Sequence, residues 1–110
     1  MSTHLSQKIS SPLPDPKDLA TAAEVLSLLS HPQRLEVLCH LSRDGELPVG
    51  ELVRRVGLSQ SATSQHLARL RKLGLLETRK EGQTVYYRIA REDVGQILEL
   101  LHRLYCRTGG

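Results

Sequence analysis

A chain of 110 residues has room for one domain built around a single core. Apolar residues make up 39% and charged residues 25%, with no Phe or Trp and only three tyrosines, so the core has to be assembled from Leu, Val and Ile. The apolar runs fall far short of the roughly 18 residues that cross a bilayer, and the polar start MSTHLSQKISSPLPDP is not a signal peptide. The expectation is therefore a cytoplasmic protein, and its net charge of +3 is only mildly basic.

Residues 1–16, where Pro12, Pro14 and Pro16 recur every second position, predict a flexible N-terminal arm; residues 17–108 predict the folded domain. Leu19, Ala22, Ala23, Leu26 and Leu29 recur at helical spacing and predict a first helix from Asp18 to about Leu29. Ser30 and Gln33 have the spacing of a capping box, with Pro32 in the first turn, so a second helix is expected from His31 to about Arg43. Its buried face is Leu35, Val37, Leu38 and Leu41, and Asp44-Gly45 ends it. Pro48 opens a short third helix that Gly57 stops. Ser59 is a strong N-cap for a fourth, from Gln60 to about Leu73, which Gly74 stops.

After Gly74 the apolar period falls from 3.6 to 2. Residues 75–80 and 84–89 predict two strands around Glu81-Gly82, and the stripe of Val94, Ile97, Leu98, Leu101, Leu104 and Tyr105 predicts a final amphipathic helix. Two short helices joined by a glycine turn and followed by a hairpin describe a mainly α fold with a β-hairpin wing. The expected architecture is a winged helix-turn-helix of about five helices and a two-stranded wing.

The fourth helix carries the chemistry. Its opening, LSQSATSQHL, holds short hydrogen-bonding side chains and no charge, and with Ala62, Leu67, Leu70 and Leu73 turned inward it presents Gln60, Ser61, Ser64, Gln65 and Ala68 outward. A helix chosen only for stability would favour Glu, Lys and Ala there. Gln can pair with adenine in a major groove, Ser bonds to bases or phosphates, and the amides at the Ser59 cap suit an anion. Between Glu51 and Glu77 there is no acid, while Arg54, Arg55, Arg69, Arg71 and Lys72 fall in that gap, the footprint of a phosphate-binding face. Arg69, Arg71 and Lys72 either reach phosphates or solubilise the helix, and Arg79 and Lys80 of the hairpin are placed for the minor groove or backbone. The candidate DNA contacts are therefore Ser59, Gln60, Ser61, Thr63, Ser64, Gln65, His66, Arg69, Arg79 and Lys80.

The stretches LSHPQRLEVLCHL and VGELVRRVGLSQSATSQHLARLRKLGLLETRKEGQTVYYRI, with the closing helix, resemble the ArsR/SmtB family of bacterial winged-helix repressors over about residues 18–107. The resemblance implies a homodimer packed through its first and last helices, bound to an imperfect palindrome in double-stranded DNA and released by an inducer. It implies no enzymatic activity and no cofactor. The metal sites known in the family do not map: the helix before the recognition helix has no cysteines, and the closing helix has Asp93 and His102 but Gly95 and Tyr105 where ligands belong. His31, His40 and His66 have no ligand spacing and suit capping, surface or DNA-facing roles.

Cys39 and Cys106 form no CxxC motif, which argues against a thiol oxidoreductase, and taken alone they suit small buried apolar positions. Their surroundings, LCHL and LLHRLYC, resemble the HlyU, BigR and SqrR branch of the family, in which such a pair answers reactive sulfur species or oxidants by forming a disulfide or polysulfide bridge. The resemblance implies a repressor gated by these two cysteines. A metal-sensing repressor and a constitutive DNA binder with structural cysteines are the alternatives.

Overall fold

The computed structural model describes residues 10–106. Helix α1 (Pro16–Leu29) starts two residues earlier than Asp18, because the Asp15 carboxylate accepts from the Lys17 amide at 2.7 Å and Pro16 sits in the first turn, where no amide is needed. Of the proposed arm, residues 1–9 lie outside the described residues, residues 10–15 carry no helix or strand, and Pro16 is helical.

Helix α2 (Pro32–Asp44) is capped differently from the expected box. Ser30 terminates α1, its hydroxyl donating to the Ser27 carbonyl at 2.9 Å, so the N-cap is His31 and carries no side-chain cap bond. Gly45 ends α2 at φ 84°, a conformation that costs glycine little. Leu47 and Pro48 then form a short strand, β1, which periodicity did not reveal, and α3 (Val49–Val56) follows at once. Ser59 caps α4 (Gln60–Lys72) as expected, its hydroxyl accepting from the Ala62 amide at 3.0 Å.

Strands β2 (Leu76–Glu81) and β3 (Thr84–Ile89) pair antiparallel in full register from Leu76↔Ile89 to Glu81↔Thr84. The tip is therefore Gly82-Gln83, one residue later than expected. Because β1 pairs with Tyr86 and Tyr87 on the other side of β3, the wing is part of a three-stranded sheet in the order β1-β3-β2. Pro48 is tolerated because β1 is an edge strand. Helix α5 (Glu92–Tyr105) closes the chain.

Among the described residues the buried core is Leu and Val, with one polar member, Thr63. Val37, Leu38 and Leu41 of α2 meet Leu52 and Val56 of α3, Leu67 and Leu70 of α4, Leu75 and Leu76 at the start of the hairpin, and Val94 and Leu98 of α5. Fully burying each leucine contributes about 1.5–3 kcal/mol. Leu73, expected inside, is 39% exposed, and Leu75 and Leu76 take its place. Along α1 and α5, Leu19, Leu26, Leu100, Leu104 and Tyr105 also remain exposed. No helix among the described residues is long and apolar enough to cross a membrane.

Candidate nucleic-acid interface and cysteine cleft

Helix α4 divides cleanly by phase. Gln60, Ser61, Ser64, Gln65 and Ala68 are exposed together on one face that starts at the Ser59 cap, while Leu67 and Leu70 anchor the opposite face in the core. Two predicted contacts belong to the inner side. Thr63 is 0% exposed and its hydroxyl donates to the Ser59 carbonyl at 2.9 Å, so it is a core residue that closes the first turn and presents nothing to a groove. His66 is half-buried and meets the ring of His31 edge to face, with centroids 5.2 Å apart. Burial, and then the charges of His31 and Arg34, hold the His66 imidazole below its ordinary pKa.

The basic residues separate into occupied and available groups. Arg55 pairs with both Asp44 and Glu51, and Arg54 pairs with Glu51, so the cations of α3 are spent within the protein. Arg79, expected to reach DNA, is also held. Glu46 accepts from its Nη2 at 2.7 Å and its Nε at 3.1 Å, Glu81 accepts from Nη1 at 2.5 Å, and the guanidinium lies 4.5 Å from the Tyr86 ring centroid. These bonds hold the Glu46 carboxyl below the usual carboxylate range and raise Arg79 further. None of the ion pairs among the described residues uses Arg69, Arg71, Lys72 or Lys80. A neutral, hydrogen-bonding face flanked by four cations without carboxylate partners is suited to base edges with phosphates on either side.

Both cysteines are free and exposed, so neither is the buried apolar residue that the sequence left open. Cys39 lies on α2 in the wall of a cleft of about 740 Å³ between α2, the end of β3 and α5, and His102 lines the same cleft from α5. Gly95, Glu99, His102 and Cys106 succeed one another at spacings of four, three and four, which is one stripe of a helix. Cys106 is the C-cap, its amide donating to the His102 carbonyl at 2.9 Å, and so sits one turn beyond His102 on that stripe. Partial desolvation against the cleft wall pushes the Cys39 thiol above its ordinary pKa, and the Glu36 carboxylate adds to the shift. Sequence reasoning did not find the cleft, because its walls come from three separated segments; Gly95 was the one signal.

Residues 31–78 match the family model described as bacterial regulatory protein, arsR family. The chain is 53% identical over 92 residues to the transcriptional activator HlyU of Vibrio cholerae, covering 84% of each protein. Among solved structures, reduced HlyU from Vibrio cholerae superposes with a TM-score of 0.77 at 52% identity, covering 83% of this chain and 95% of that one. The transcriptional repressor BigR from Xylella fastidiosa superposes at 0.75 and 36% identity, covering 84% and 93%.

Proposed function

The chain belongs to the ArsR family of bacterial DNA-binding transcriptional regulators, and from that premise we propose that it is a homodimeric repressor whose hold on its operator is switched by a bridge between Cys39 and Cys106. The observation that supports the switch is the cleft that Cys39 and His102 line together, with Cys106 one turn beyond His102. Cys39 walls it from α2, and Cys106 continues the α5 stripe that walls it from the other side.

Two surfaces support the rest. The α4 face of Gln60, Ser61, Ser64 and Gln65 reads base edges, with Ser59 amides, Arg69, Arg71, Lys72 and Lys80 on phosphates. The exposed Leu19, Leu26, Leu100 and Leu104 form the dimer contact, which sets the two recognition helices on the half-sites of an imperfect palindrome.

The chemistry runs in two displacements. A Cys106 thiolate attacks the outer sulfur of a persulfide R–S–SH, forming Cys106–S–SH and releasing the thiolate RS⁻. The Cys39 thiolate then attacks the inner sulfur, forming the Cys39–Cys106 disulfide and releasing hydrosulfide, so the two cysteines are oxidised and the donor's outer sulfur is reduced. Cys106 is assigned the first attack because His102 and Arg103 lie within one turn of it, whereas burial and Glu36 disfavour the thiolate of Cys39. Closing so long a loop constrains the chain by about 4 kcal/mol in the entropic model. That exceeds the roughly 1–3 kcal/mol typical of allosteric coupling, so the bridge can bias the packing of α5 and with it the operator affinity.

The test treats wild-type protein, C39S and C106S with a persulfide donor and measures operator release alongside intact mass. Release with a loss of two protons in the wild type, and no release in either variant, is expected. Release that survives either substitution overturns the switch.

A further inference from the structure

The cleft that holds Cys39 has far more room than one thiol needs. Its volume of about 740 Å³ falls within the roughly 300–1,000 Å³ of pockets that enclose small molecules. The inner wall is apolar, with Leu41, Ile89 and Leu98. Among its lining residues are three arginines from three elements: Arg43 of α2, Arg88 of β3 and Arg91 at the N-cap of α5.

Each guanidinium has a carboxylate neighbour that uses only some of its donors. Arg43 meets Asp44 and Arg88 meets Glu77 through Nε alone, which leaves their terminal nitrogens without a hydrogen bond among the described residues. Arg91 gives Nε and Nη2 to Asp93 and retains Nη1. Glu92 and Glu99 bring negative charge to the same cleft from α5. Gly95 opens it further, since a Cβ placed there meets nothing within 4 Å.

We propose that the cleft binds an amino-acid-derived sulfur compound, a small zwitterionic disulfide or persulfide, and thereby selects which sulfur donors are held beside the Cys39–Cys106 pair. Guanidinium forks match carboxylates, Glu92 and Glu99 match an ammonium group, and the apolar wall receives the methylenes between them. A small neutral oxidant gains nothing from these groups. This inference rests on Cys39 being a switch residue, but the binding it describes is non-covalent and is measured without any reaction.

The probe is S-methylglutathione, a thioether that cannot exchange sulfur, titrated calorimetrically into the full-length C39S/C106S variant. Saturable binding is expected, weakened about tenfold or more when the probe's carboxylates are esterified or when Arg43→Ala removes one fork. Gly95→Leu, which fills the cleft and favours the helix, is expected to abolish it, with operator binding of both variants unchanged as the control for folding. Absence of saturable binding, equal binding of the ester, or binding that persists in G95L overturns the proposal. If the probe binds as expected while C39S still releases DNA on donor treatment, the site stands and the cysteine switch falls.

Discussion

His31 and His66 join the start of α2 to the middle of α4 through two imidazoles packed edge to face, and Arg34 adds its charge to the same region. His66 is depressed by burial first and by its electrostatic interaction with His31 and Arg34 second, so the unfolded chain takes up its proton more readily than the folded one. Stability from this contact is complete at neutral pH and above, and is lost as pH falls through the ordinary histidine value of about 6.5. The melting temperature of the wild type is therefore expected to drop between pH 7.5 and 5.5 more steeply than that of His66→Gln. His40 is depressed too and contributes to both proteins, so the difference between the two slopes is the measurement. Parallel slopes would remove His66 from the account.

Arg79 is withheld from phosphate by Glu46 and Glu81, whereas the neighbouring Lys80 has no such partner among the described residues. Lys80→Ala is expected to weaken binding to operator and random DNA alike and to reduce the salt slope by about one unit. Glu46→Gln, which loosens Arg79, is expected to do the reverse, tightening binding to all sequences and steepening the slope. Unchanged salt dependence in E46Q would show that Arg79 stays on the sheet without Glu46.

Thr63 and Gln65 are two residues apart and are expected to fail in opposite ways. Thr63→Ala opens a small void and removes a hydrogen bond within the first turn of α4, and should cost about 1–2 kcal/mol of stability with operator discrimination intact. Gln65→Ala should leave the denaturation midpoint unchanged and lower the ratio of operator to random-DNA affinity. Denaturant melts paired with binding to both DNAs separate the two; a loss of discrimination in T63A would return that residue to the reading face.

Leu26 is 56% exposed and Leu104 63%, far more than leucines of a finished core. Placing a charge at each, in Leu26→Glu/Leu104→Glu, is expected to convert a dimer to monomer in sedimentation equilibrium and to weaken operator binding with it. A dimer that persists in this variant would move the interface elsewhere.

Local signals were legible and distant ones were not. Ser59, Gly57 and Gly74 mark the ends of α3 and α4 through their own backbone chemistry, and the alternation in Thr84–Ile89 marks a strand by itself. Strand β1 has two residues, one a proline, and exists only because Tyr86 and Tyr87 lie beside it. Arg79 reads as a free wing cation until Glu46, remote in sequence, folds against it. Ser30 reads as the cap of α2 because a capping box depends on spacing, yet its hydroxyl turns back to α1. The inward place of Thr63 was within reach: four residues before Leu67 and seven before Leu70, it shares their side of the helix, and only its polarity pointed outward.

The two residues of β1 tie the helix-turn-helix to the sheet through the main chain. On one edge of β3, β1 passes directly into α3; at its end, β3 passes through Ala90, whose amide donates to the Leu75 carbonyl at 2.9 Å, into α5. Main-chain hydrogen bonds thus join the segment that leads into α5 to the segment that leads into the helix-turn-helix. Side-chain substitutions on the outer face of the sheet change what the wing presents but leave those main-chain bonds in place.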